Sequence, residues 1–167
     1  MAETKVLIGE KQIKYSGLIP VKGVYKHVKN FLDENGYDPF ESRNEEEVYE
    51  DGKQIIIVLN GDKKLSDFAK IMWETKFVFE KLIETSFEKD GKTMHLHKGN
   101  LTLETSVVLA TDYENSFEQT AFQYFLRVMI DKFVFKSYIN RAADVAKKNY
   151  TRFEEKMKSY LNMESFK

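Results

Sequence analysis

Two glycine dipeptides, Asp90-Gly91 and Lys98-Gly99, limit the folds open to this chain more than any other feature. A two-residue hairpin turn at Asp90-Gly91 sets Phe87 opposite Met94 and Thr85 opposite Leu96. A second at Lys98-Gly99 sets Leu96 opposite Leu101 and Met94 opposite Leu103. Each turn brings apolar residues to one face, which continues through Val107 and Leu109. Side chains alternate along a strand, so a slip of one residue would turn the whole set over; the agreement of the two turns argues for an antiparallel meander. The other face carries Glu84, Ser86, Glu88, Thr93, His95, His97, Thr102 and Glu104 and is expected to be solvated.

The rest of the stretch from Gly52 to Asp112 is also strand-like. Asp51-Gly52 and Asn60-Gly61 are turn signals, and the β-branched run Ile55 to Leu59 between them suits a strand covered on both faces. Ile71, Trp73, Thr75, Phe77 and Phe79 then fall on one side, with Glu74, Lys76 and Glu80 among those on the other, although Phe68, Ile71, Met72, Phe79 and Leu82 also fit a helical period in part. Upstream, residues 10–19 read as a first strand. After Pro20 the period becomes helical (Val21, Val24, Tyr25, Val28, Phe31, Leu32) and stops at Asn35-Gly36. Downstream, Ser116 and Gln119 form a capping box that opens about fifty helical residues. Phe122, Phe125, Leu126, Met129 and Phe133 make its first stripe; Tyr138, Ala142, Val145, Ala146, Phe153, Met157 and Tyr160 make a second. The phase shifts at Lys136-Ser137, which predicts a kink, a break or an exit from the sheet there. The expected architecture is a single α+β domain over residues 1–167: a curved antiparallel sheet packed on a long C-terminal helix, with a short N-terminal helix after the first strand.

Charge and composition remove several classes of function. The net charge is −1 and nearly all cations are lysine, which argues against nucleic acid as a partner. The absence of cysteine excludes disulfides, thiolate metal sites and a cysteine nucleophile. The first residues lack an apolar signal core and the longest aliphatic run is only Ile55–Leu59, so no membrane span and a cytoplasmic location are expected.

Few residues carry recognisable chemistry. His95 and His97 share a strand face with Glu84 across the hairpin, a set that could hold zinc or could be an exposed pair with a charge partner. Asp90-Gly-Lys-Thr93 lacks the upstream glycine and the strand-to-helix context of a phosphate loop. Paired carboxylates such as Glu45–Glu47 and Glu154-Glu155 lie in polar runs, where nothing shifts a pKa toward acid–base work. No catalytic residue and no cofactor is expected. Trp73, Thr75, Phe77, Phe125, Met129 and Phe133 could line an apolar pocket between sheet and helix, or simply fill that space. From Lys136 onward eight Lys/Arg face four Asp/Glu, and the acidic 44–51 segment offers a counterpart for self-association or for a protein partner.

The order strand, helix from Val21 to Asn35, strands through Leu109, then a long helix with Phe122, Phe125, Met129 and Phe133 inward resembles the helix-grip fold of the START and polyketide-cyclase-like (SRPBCC) superfamily. The likeness is one of topology over most of the chain. It implies a non-catalytic binding domain holding a small apolar or lipid-like ligand between sheet and long helix. The alternative is a protein–protein interaction or assembly subunit that uses the C-terminal helix.

Overall fold

The computed structural model describes residues 3–111, 120–130 and 136–165. Its elements are β1 (Glu3–Ile19), α1 (Val21–Glu34), β2 (Asp38–Tyr49), β3 (Gly52–Lys64), β4 (Ala69–Lys89), β5 (Lys92–Thr111), α2 (Ala121–Ile130) and α3 (Lys136–Ser165). The five strands form one antiparallel sheet in the order β1-β5-β4-β3-β2. Bulges interrupt β1, β2 and the β3–β4–β5 ladders, and each adds local twist, so the sheet is curved and stays open. This is the α+β arrangement expected, with a short helix after the first strand and a long one at the C-terminal end.

The β4–β5 hairpin turns at Asp90 (φ 51°) and Gly91 (φ 74°), two left-handed residues as a type I′ turn requires. Thr85 pairs with Leu96 and Phe87 with Met94, as the turn chemistry predicts. The Lys98-Gly99 turn does not exist. β5 runs through it without a break, with Lys98 paired to Ile83 on one side and Leu18 on the other. Leu101 therefore faces Phe79 and Tyr15, and Leu103 faces Phe77 and Ile13, instead of meeting Leu96 and Met94. Gly99 serves a close approach: a Cβ there would come within 2.8 Å of the Glu80 carbonyl oxygen and 2.9 Å of the Leu82 side chain.

An unbroken β5 reverses the expected sidedness of its first half. Odd positions carry the buried Leu101, Leu103, Thr105, Val107 and Leu109, so His95 and His97 lie on the same face as this core. Leu96, also buried, lies on the other face. β4 follows the change through a bulge between Glu80 and Ile83, where Lys81 is left-handed (φ 53°). Inward positions are Ile71, Trp73, Thr75, Phe77 and Phe79 before it and Leu82 after it. The partly helical alternative for this segment is not realised.

Asn60-Gly61 is likewise inside a strand, β3. The β3–β4 turn lies further on, where Ser66 Oγ accepts the Phe68 and Ala69 N–H groups at 3.2 and 3.1 Å. Gly61 instead makes room for Tyr37 and Leu32: a Cβ there would come within 3.0 Å of the Tyr37 Cβ and 3.3 Å of the Leu32 Cδ1, closer than van der Waals contact.

α1 buries Val24, Val28, Phe31 and Leu32 and ends in a left-handed Gly36 (φ 77°), with the Tyr37 N–H returning to the Leu32 carbonyl at 3.0 Å. On α3 the buried positions are Ala142, Ala146, Asn149, Tyr150, Phe153, Met157 and Leu161, spaced by three and four. The gripped stripe is thus the second one. Phe122, Phe125 and Met129, expected to point inward, are exposed, and Ser116, Gln119 and Phe133 lie outside the described residues. Small Ala142 and Ala146 let α3 approach the sheet closely, which the bulkier 122–133 stripe would prevent.

Where the helices meet the sheet, the Trp73 ring has Phe153 at 5.4 Å, Tyr37 at 5.6 Å, Phe31 at 5.9 Å and Tyr150 at 6.3 Å. Truncating Phe153 to Ala should cost about 3–5 kcal/mol in urea unfolding, as for other buried aromatics. Phe122→Ala in dilute solution should stay within about 0.5 kcal/mol. The reverse order would place the 122–133 stripe on the sheet.

Candidate functional site

Of the six residues expected to line a ligand pocket, Phe133 lies outside the described residues and the other five fall into two separate groups. Trp73, Thr75 and Phe77 have no solvent exposure and sit at the centre of the core. Their polar capacity is used internally. Trp73 Nε1 donates to Thr75 Oγ1 at 2.9 Å, and Thr75 and Thr105 share a hydroxyl hydrogen bond of 3.3 Å. A buried hydroxyl already serving an indole N–H is not free to orient a ligand. The aromatic rings that pack on Trp73 from α1 and α3 occupy the space beside it. Phe125 and Met129, in contrast, are on the surface of α2. The structure does not bring them onto Trp73.

Glu84, His95 and His97 do come together. Glu84 pairs with His97 across the hairpin, and its Oε1 lies 3.5 Å from His95 Nδ1. Together with Pro20, Val21, Lys22 and Gly23 at the start of α1 they line an open groove of about 360 Å³. Among the described residues no group of three metal-capable side chains is close enough to hold an ion. Glu84 and His95 are mostly solvated, and an exposed pair of this kind contributes little to stability.

Sequence periodicity placed His27 off the apolar stripe of α1 and gave it no partner. Structurally its ring stacks on Tyr160 of α3, centroids 4.5 Å apart and planes 13° from parallel. Its Nε2 is buried without a hydrogen-bond partner. Gly23, one turn earlier, allows the fit, because a Cβ there would collide with the Tyr160 hydroxyl. Only the fold could reveal this contact, since the two residues are far apart in sequence.

Among the described residues the largest departure from an ordinary surface is α2. Phe122, Tyr124, Phe125, Val128 and Met129 are 68, 62, 57, 43 and 41% exposed. At 3.6 residues per turn these five and Ala121 occupy one arc of about 160° with no charged residue in it. An arc that wide and that apolar normally faces a core. Close by in kind, Lys63, Leu65, Ile71, Arg141, Ala142 and Val145 line a small apolar groove of about 200 Å³ between the sheet and the start of α3. The lysine-rich face of α3 is partly engaged within the chain, Lys156 with Glu34 at 3.1 Å and Lys158 with Glu154 at 2.7 Å.

No family model matches this chain, and no curated protein does. Among solved structures, an uncharacterized protein from Rhizobium leguminosarum aligns over 68% of this chain and 84% of its own length, at 9% identity and a TM-score of 0.18. A likeness that low carries no argument about fold or function. Among the described residues no helix is long and apolar enough to cross a membrane.

The His27 contact makes stability depend on pH. Burial, and then the Lys156 charge, hold its pKa below the ordinary 6.5, with Glu34 pulling weakly the other way. The unfolded chain therefore takes up this proton before the folded one does. Stability should be complete above about pH 6.5 and fall as the pH drops below it, toward the lowered folded value. Melting temperature between pH 7.5 and 5.5 should fall more steeply for the wild type than for His27→Phe, which keeps a ring against Tyr160. Equal slopes would mean that His27 titrates normally.

Proposed function

We propose that this chain is a non-catalytic assembly domain that pairs with a second copy of itself through α2. The observation that carries this reading is the exposed, uncharged arc Phe122, Tyr124, Phe125, Val128 and Met129. With aromatic side chains of roughly 150–250 Å² each, the arc offers about 500 Å² per copy, or about 1,000 Å² for a symmetric pair, the lower bound for a biological interface. Two-fold pairing needs only one such patch on each chain, because the same residues serve both sides. Aromatic residues and Met are also the residues that protein interfaces favour. The charged face of α3 and the acidic β2 region would form a polar rim or remain solvated.

A small apolar or lipid-like ligand is the second reading. The groove at Leu65, Ile71, Ala142 and Val145 favours it, because it is apolar and opens between sheet and long helix as a helix-grip site would.

Light scattering and native mass spectrometry of the whole chain separate the two. Assembly predicts twice the 19.6 kDa chain mass, reduced to one chain by Phe122→Ser with Phe125→Ser while the circular dichroism stays unchanged. A dimer that survives both substitutions would overturn the role of α2. A monomer would overturn assembly, and one that carries a co-purified lipid would favour the ligand reading.

A further inference from the structure

We propose that the outer edge of β2 accepts an extended, lysine- or arginine-rich segment of another protein as an added strand. This surface is separate from α2 and does not depend on the assembly proposed above.

Among the described residues β2 ends the strand order and is hydrogen-bonded to β3 alone, so its outer row of N–H and C=O groups has no described strand beside it. It also projects from the body of the molecule. Every residue from Glu41 to Tyr49 is exposed. The other edge strand, β1, lies against α3 instead. An exposed edge of this length is a template for main-chain pairing, and the side chains beside it decide which strand it will take.

Those side chains are acidic. Between Asp38 and Asp51 there are seven carboxylates (Asp38, Glu41, Glu45, Glu46, Glu47, Glu50 and Asp51) against one arginine, Arg43. Arg43 is held by Glu45 at 2.6 Å, and Glu46 is bridged by Lys53 at 2.8 Å from the β3 side. A second copy of β2 laid against this edge would set carboxylates opposite carboxylates, which is unfavourable in cross-strand pairs. The edge is thereby blocked toward itself and open toward cations.

Both faces of the strand support the same partner. Glu41 pairs with Leu59 and Asn44 with Ile57, two core-facing residues, so Glu41 and Asn44 point to the helix-bearing face. There they border a groove of about 190 Å³ whose other walls are Val21, Lys22, Tyr25 and Ile57. The aliphatic stem of a lysine or arginine fits an apolar floor of this kind with its charge directed at the Glu41 carboxylate. On the opposite face, where Glu45 is held by Arg43, Glu47 is placed to meet the next outward cation.

The test uses the full chain and a short synthetic peptide alternating lysine and threonine, with titration calorimetry and amide hydrogen exchange. Binding should be saturable and weakened by salt, and added exchange protection should fall on residues 41–49. The same peptide N-methylated at alternate residues keeps its charge but loses main-chain donors, and should bind at least about tenfold more weakly. Glu41→Lys with Glu47→Lys, both on the surface, should weaken the unmodified peptide by a similar factor, while Glu10→Lys, exposed on the opposite edge strand β1, leaves it unchanged. Absence of binding, equal binding of the N-methylated peptide, or protection elsewhere would each overturn the proposal.

Discussion

The aromatic joint around Trp73 is the contact on which the rest of the structure depends. The indole stands on the central strand β4, and rings from α1 (Phe31), from the residue just after it (Tyr37) and from α3 (Tyr150, Phe153) converge on it. Its single polar atom is satisfied by Thr75, so the joint buries no unpaired donor. Two segments distant in sequence, 31–37 and 150–153, are thereby tied to the sheet at one point. Aromatic pairs at these separations contribute about 0.5–1.5 kcal/mol each beyond the area they bury, which makes the cluster a concentrated source of tertiary stability.

The joint also fills the middle of the fold. With Trp73, Phe77 and Phe153 wholly buried and Thr75 already engaged, the space around the indole between sheet and α3 is taken up by side chains. The distinctive chemistry is displaced outward, to the apolar arc of α2, the apolar groove beside Val145, the acidic edge of β2 and the histidine groove at the start of α1. A curved open sheet makes such surfaces available because its edges and its far end extend beyond the helices that cover its middle.

Local chemistry in the sequence disclosed much of this fold. Asp90-Gly91 specifies a left-handed pair that few other turns need, and the Thr85–Leu96 register follows from it directly. The helix from Val21 to Glu34 follows from its period and from Gly36. Lys98-Gly99 and Asn60-Gly61 misled because glycine is wanted for two different reasons. Close backbone approach at the Glu80–Leu82 bulge and beneath Tyr37 requires it as firmly as a turn does, and those neighbours come from other strands and from α1. The face of His95 and His97 was lost with the missing turn, since each turn resets the alternation. Which helical stripe meets the sheet was equally hidden: both are apolar, and only the small Ala142 and Ala146 distinguish the one that can approach closely. Of the candidate site residues, Glu84, His95 and His97 were placed together by register alone, whereas the His27–Tyr160 stack depends on tertiary packing.

Trp73 is the only tryptophan, so its fluorescence reports on the closed interior without ambiguity. Titration of the chain with a brominated fatty acid, a quencher that acts on contact, addresses the claim directly. If the interior is filled as described, emission should be blue-shifted relative to free tryptophan and should not respond to the fatty acid. Saturable quenching would place an apolar ligand against the indole and contradict the account.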